Sequence, residues 1–194
     1  AEAQLRGMVR RGVQPSTATL NAIIRACAEC RDLRGAEEWF RRMRSAALQP
    51  DVRSFGCLIN GYAQLDRSAR ATDDARQWFQ RMEEEGIQPT VIQYNQLLAA
   101  LWKSDVPQQG EAEGLFCRLV ASRLAPDRIT LRSLGGILGR SAVSGLCRRL
   151  GVDEAVAAGL SETSWQKRLA PRSAEEDLHA ARCKRLGHLS ERRA

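Results

Sequence analysis

This chain of 194 residues has no long apolar run of the kind that marks a membrane-spanning helix or a secretory signal. No apolar stretch approaches the roughly 18 residues that a membrane-spanning helix needs, so we expect no membrane insertion. No apolar run lies near the first residue, and we therefore expect no secretory signal in this sequence.

The sequence also has few cysteine and histidine residues in metal-binding patterns and no glycine-rich phosphate-binding loop. Cys27 and Cys30 form a C-x-x-C pair, but no second pair follows, and His179 and His188 are the only histidines. A structural zinc site usually takes four ligands from two local pairs. No glycine-rich phosphate-binding loop is present. We therefore expect no metal, no cofactor and no enzymatic activity, and we interpret the cysteines as helical core residues in a reduced compartment.

Lysine is nearly absent, and the positive charge is uneven. Lys103, Lys167 and Lys184 are the only lysines among 30 basic residues, so the rest are arginines. Residues 1–127 hold 17 basic and 16 acidic groups, whereas residues 128–194 hold 13 basic and 7 acidic groups. A basic segment favours a polyanion such as nucleic acid, with solubility alone as the alternative.

What the chain does have is an internal repeat. Four of its six prolines are separated by 35, 39 and 37 residues, and two apolar positions keep the same spacing. The positions are Pro15, Pro50, Pro89 and Pro126; Leu20, Phe55, Tyr94 and Leu131; and Val13, Leu48, Ile87 and Leu124. Independent positions that share one irregular spacing indicate a repeat architecture.

Each unit has the pattern of two helices. In residues 17–51, apolar residues at helical spacing precede and follow a polar break at 31–34, and Pro50 cannot continue a helix. We interpret the recurring aromatic and methionine positions as core packing between helices. The extra residues of the second and third units fall around 68–73 and 105–109, where we expect longer turns between the two helices.

The period, the paired helices and the ending Leu48-Gln49-Pro50-Asp51 resemble the pentatricopeptide repeat. Ile87-Gln88-Pro89 before a new unit, and Tyr94-Asn95 at its head, resemble it too. The tetratricopeptide repeat has a similar period but lacks this junction. The resemblance implies an all-α fold, an α-solenoid of stacked helix-turn-helix repeats with a helical C-terminal cap.

The expected organisation has six segments. They are 1–16, the second helix of a truncated repeat; 17–51, a repeat; 52–90 and 91–127, repeats with insertions; 128–150, a degenerate repeat weakened by glycines; and 151–194, a basic helical tail. For the tail we weigh a solenoid cap, which seals an apolar end, against a separate binding role.

The resemblance also implies a function. Pentatricopeptide proteins bind single-stranded RNA on a concave face, and two side chains per repeat read one base. The implied pairs are Asn21 with Asp51, Gly56 with Thr90, and Asn95 with Asp127. The family's usual reading of Asn with Asp is uracil, whereas Gly56 has no side chain and departs from the pattern. The alternative for the asparagines is local hydrogen bonding at the helix start.

A further side chain per repeat would hold the base by apolar contact. The resemblance places Ala18, Arg53, Ile92 and Ile129 in this role, where isoleucine suits apolar contact and Arg53 suits stacking or phosphate binding. Some relatives carry a zinc deaminase domain, but its His-x-Glu pattern is absent, since Ala181 and Ser190 stand where the Glu would be.

Two functions remain open from the sequence. The first is an organellar RNA-binding protein, in a mitochondrion or chloroplast, that works within a larger ribonucleoprotein. The second is a protein–protein scaffold subunit of an organellar complex, a ribosome or membrane supercomplex, without RNA reading. Stacking contributes about 1–3 kcal/mol per base, so three bases are too few for a stand-alone reader.

Overall fold

The computed structural model describes residues 15–65, 69–106 and 108–152. Every regular element within these residues is an α-helix, and the chain divides into two compact units after Pro89. No helix in the described ranges is long and apolar enough to cross a membrane. Most of the expected truncated repeat, and the basic tail from 153 onward with its cap, lie outside the described residues.

The first unit contains two helix pairs. They are formed by α1 (Thr17–Glu29) with α2 (Leu33–Ser45), and by α3 (Val52–Ala63) with α4 (Ala69–Glu84). α1 packs against α2 and α3, and α3 packs against α2 and α4. The first helices of successive repeats are therefore neighbours, as the solenoid prediction requires.

The second unit repeats this arrangement with α5 (Val91–Lys103), α6 (Gln109–Ala121), α7 (Arg128–Leu138) and α8 (Arg140–Leu150). α5 packs against α6 and α7, and α8 packs against α6 and α7. The repeat at 128–150 is therefore a complete helix pair. Its first helix continues through Gly135 and Gly136, because packing outweighs their low helix propensity, and it ends at Gly139 with a φ of 83°.

The recurring aromatic and methionine positions form the cores of the two units, which confirms that interpretation. Two positions of successive second helices hold side chains that are almost fully buried. They are Phe40, Phe79 and Phe116, together with Met43, Met82 and Leu119.

The second helices end in one recurring turn. Ala47, Gly86 and Arg123 all adopt left-handed backbone angles, with φ values of 56°, 75° and 57°. The next residue then donates its backbone N–H back to the helix, as in a Schellman motif. These bonds join Leu48 to Met43 at 3.1 Å, Ile87 to Met82 at 3.0 Å, and Leu124 to Leu119 at 3.2 Å. An apolar residue at this position commonly accompanies the motif, which fits Leu48, Ile87 and Leu124 two positions before their prolines.

This turn predicts opposite effects for two matched substitutions. A side chain at a left-handed position costs about 1 kcal/mol relative to glycine. We expect Ala47→Gly to raise the free energy of unfolding by about that amount and Gly86→Ala to lower it by about the same. Both positions are exposed, so packing does not interfere. Urea denaturation of both variants checks this, and a shift of the same sign in the two would contradict it.

The structure corrects the predicted turn around 68–73. α4 begins at Ala69 and has 16 residues, whereas α2 and α6 have 13 each. Ala71 and Thr72 are buried, so most of the inserted residues extend a packed helix instead of a loop. In the next repeat, the described residues between Lys103 and Gln109 lie outside the helices, as predicted.

Candidate functional site

Asn21 is held in a polar cluster between the first helices of two repeats. It lies in α1 and is only 7 % exposed. Its Nδ2 donates to Oδ1 of Asp51 at 3.0 Å, and its Oδ1 accepts a bond from the Ser54 hydroxyl at 2.6 Å. The Ser54 hydroxyl in turn accepts the backbone N–H of Asp51 at 3.1 Å.

Asn95 has the same environment in the second unit. It is 8 % exposed, and its Nδ2 lies 3.0 Å from both carboxylate oxygens of Asp127. The Thr130 hydroxyl donates to Oδ1 of Asn95 at 2.7 Å and accepts the backbone N–H of Asp127 at 3.1 Å. The two clusters thus use the same chemistry, with threonine in place of serine.

These contacts set the orientation of both side-chain amides. An ionised carboxylate only accepts hydrogen bonds, so the NH₂ group of each asparagine must face Asp51 or Asp127. The hydroxyl of Ser54 or Thr130 then donates to the side-chain oxygen of the asparagine. The alternative of local helix-start bonding is wrong for Asn21 and Asn95, because their partners are 30 and 32 residues away or more. Each amide keeps one N–H and one lone pair that these bonds do not use.

The residues that end the repeats cap the helices that follow, a role that we did not predict from the sequence. Ser16, Asp51, Thr90 and Asp127 are the N-caps of α1, α3, α5 and α7. Asp51 accepts the backbone N–H groups of Arg53 and Ser54 at 3.0 and 2.9 Å. The signal was available in the sequence, since Ser, Thr and Asp before an apolar helix are preferred caps.

The middle pair, Gly56 with Thr90, has no asparagine. Gly56 is buried in α3 and offers no side-chain group. Thr90 belongs to the second unit, where its hydroxyl lies 2.7 Å from Oε1 of Gln93 in a capping box.

The residues expected to contact a base face are all exposed. Ala18 and Arg53 are exposed on α1 and α3. Ile92 and Ile129 are 62 % and 58 % exposed, which is unusual for large apolar side chains. Ile92 lies three residues before Asn95, so the two share one face of α5.

The cysteine pair has no metal-binding neighbourhood within the ranges described. Cys27 is half-buried in α1, and Cys30 is the exposed C-cap of this helix, so the interpretation as a helical core residue is wrong for Cys30. No group of three or more His, Cys, Asp or Glu side chains there could hold a metal ion.

Repeated helix pairs with polar clusters between successive first helices define a helical-repeat protein. Residues 15–64 match the model of the PPR repeat family, and residues 59–103 match that of the pentatricopeptide repeat domain. Residues 15–103 therefore belong to the pentatricopeptide repeat family. Among curated proteins, no significant match was found.

The fold is similar to that of solved pentatricopeptide repeat proteins. The crystal structure of PPR10 from maize aligns with a TM-score of 0.65 and 19 % identity, over 98 % of this chain and 27 % of that chain. PPR10 in complex with an 18-nt psaJ RNA element aligns with a TM-score of 0.59 and 18 % identity, over 89 % and 26 %. These matches confirm the α-solenoid fold, and the chain spans about a quarter of their length.

The Asp51 cluster predicts a pH dependence of stability. Partial burial alone would raise the pKa of Asp51, but hydrogen bonds from Ser54, Asn21 and the Arg53 backbone outweigh it, and the pKa lies below its ordinary value of 3.8. A carboxyl whose pKa is lowered on folding stabilises the fold above its unfolded pKa, and this contribution is lost as the pH falls through the folded value.

We therefore expect Asp51→Asn to lose less stability than the unchanged protein between about pH 7 and pH 3. Asparagine is also a good N-cap, so this substitution isolates the charge. The exposed Asp105→Asn serves as the control and should follow the unchanged protein. Urea denaturation at both pH values measures the slopes, and an equal slope for Asp51→Asn would contradict the assignment.

Proposed function

We propose that this chain binds single-stranded RNA, with Asn21/Asp51 and Asn95/Asp127 each contacting one base. The observation that supports it is the repetition of one arrangement in two repeats. In both, an asparagine amide is oriented by an aspartate and a hydroxyl from the next repeat. Asp51 and Asp127 can cap their helices without an asparagine, so helix capping alone does not explain Asn21 and Asn95.

The chemistry of the two clusters suits a base edge. Each amide keeps one N–H donor and one acceptor lone pair, and these match a carbonyl oxygen and the N3–H of uracil. The choice of uracil rests on the resemblance of Asn with Asp to the family pattern. Ile92 provides an exposed apolar surface one turn before Asn95, where it can pack on the face of the same base.

The small binding free energy available from so few bases favours a larger assembly. Stacking on three bases supplies roughly 3–9 kcal/mol before ordering costs, which corresponds to millimolar to micromolar affinity at best. We therefore propose that the chain acts within a ribonucleoprotein of a mitochondrion or chloroplast, alongside other protein subunits. The alternative is a protein–protein scaffold. Gly56, which offers no side chain to read a base in the middle repeat, favours that alternative.

Fluorescence anisotropy with labelled oligo-U and oligo-A, at about 50 and 200 mM salt, tests the proposal. We expect tighter binding to oligo-U, with affinity for both probes falling as salt rises. Equal affinity for the two probes would mean that RNA binds only by electrostatic attraction to a basic surface, without base reading. Failure to bind either probe at low salt would make the scaffold the working model.

A further inference from the structure

Arg132 occupies the asparagine position in the repeat at 128–150. Asn21, Gly56, Asn95 and Arg132 follow one another at 35, 39 and 37 residues, the spacing of the whole repeat. Arg132 is exposed on α7. It lies three residues after the exposed Ile129, just as Asn95 lies three residues after the exposed Ile92.

An aromatic ring holds the Arg132 side chain. Its guanidinium carbon lies 5.7 Å from the centroid of the Trp102 ring, at the end of α5. The indole packs against the backbone of α7 at Gly136, because a Cβ there would lie only 2.4 Å from its Nε1. This close approach explains the glycine in the last turn of α7. Trp102 is still 44 % exposed, so the arginine on it faces solvent.

The hydrogen-bond donors of Arg132 are available. Within the described residues, no hydrogen bond or ion pair engages its guanidinium. A guanidinium on an aromatic face keeps its N–H groups in its own plane, as a fork that matches two adjacent acceptors. Trp102 thus positions Arg132 in the way that Asp127 positions Asn95.

We propose that Arg132, positioned by Trp102, binds a guanine base through O6 and N7. These two acceptors match an arginine fork. Phosphate would match the fork too, but a phosphate site gives no reason for Ile129 to be 58 % exposed beside it. A base needs both an edge partner and an apolar surface for its face. This inference rests on the proposed RNA binding and adds a guanine position to it.

The test uses the full chain and oligo-U in which one central uridine is replaced by guanosine or adenosine. A uniform flanking sequence lets the substituted base reach any repeat. We expect the guanosine probe to bind about tenfold or more tightly than the adenosine probe. Arg132→Ala should abolish this ratio and leave the preference for oligo-U over oligo-A unchanged.

Three further variants separate base reading from charge. Arg132→Lys keeps the charge but not the fork, so it should lose the guanosine preference and keep the salt dependence. Trp102→Leu should reduce the preference because the guanidinium is no longer held. Arg140→Ala removes an exposed arginine from α8 and should leave the guanosine-to-adenosine ratio unchanged.

Two results would overturn the guanine assignment. One is a wild-type chain with equal affinity for both substituted probes. The other is an Arg132→Ala variant that weakens binding to all probes equally and lowers the salt slope by about one, as a phosphate contact would. If oligo-U and oligo-A bind equally while the Arg132-dependent guanosine preference persists, asparagine reading fails and the guanine site stands.

Discussion

Replacing Phe40 by alanine is expected to lower the free energy of unfolding of the first unit by about 3–5 kcal/mol. Phe40 is fully buried in α2. Its ring meets Phe55 of α3 at 4.9 Å and Trp78 of α4 at 5.0 Å, both edge to face. Truncation therefore removes apolar burial and two ring contacts, and it leaves a cavity where three helices meet.

Two controls accompany Phe40→Ala. Phe40→Leu keeps most of the volume and should cost clearly less. Arg34→Ala changes an exposed residue of the same helix and should stay within about 0.5 kcal/mol. Urea denaturation followed by far-UV circular dichroism gives all three values. A loss below about 1 kcal/mol for Phe40→Ala would mean that this ring cluster does not anchor the unit.

The double substitution Asn21→Ala/Asn95→Ala is expected to remove the preference for oligo-U over oligo-A. A bidentate contact to a base edge is worth about 1–3 kcal/mol of discrimination, so two such contacts give roughly a 30-fold ratio or more. Without the amides, Asp51 and Asp127 still cap their helices, so the fold should persist with a modest loss of stability. Anisotropy with both probes measures the ratio.

The matched control for this pair is Gln80→Ala. Gln80 carries the same amide group but lies exposed on a second helix, where it donates to Glu84 at 2.9 Å. We expect this variant to keep the full oligo-U preference. A double variant that bound both probes as the unchanged protein does would refute reading by the asparagines.

The repeat register could be predicted because it depends on local patterns. Apolar spacing placed Phe40, Phe79 and Phe116 at equivalent core positions, and the structure buries all three. The prediction of a longer turn around 68–73 failed because spacing alone does not say whether inserted residues extend a helix or a turn. Ala71 and Thr72 are buried, and this burial stabilises the longer helix over a longer turn.

Contacts between repeats were harder to predict. The pairing of Asn95 with Asp127 followed from family resemblance, but the hydroxyl of Thr130 that completes the cluster did not. The contact of Arg132 with Trp102 joins residues at different positions of their repeats, so no column of equal spacing reveals it. Such contacts depend on how neighbouring helices pack.

The most direct test of base reading is an NMR titration of the side-chain amide signals of Asn21 and Asn95, assigned with the single alanine variants. Each amide keeps one N–H that no contact in its cluster uses, so a base that binds there must shift this signal. We expect oligo-U to shift both signals and oligo-A to leave them nearly unchanged. Unshifted asparagine signals at saturating oligo-U, with shifts confined to arginine-rich surfaces, would contradict it.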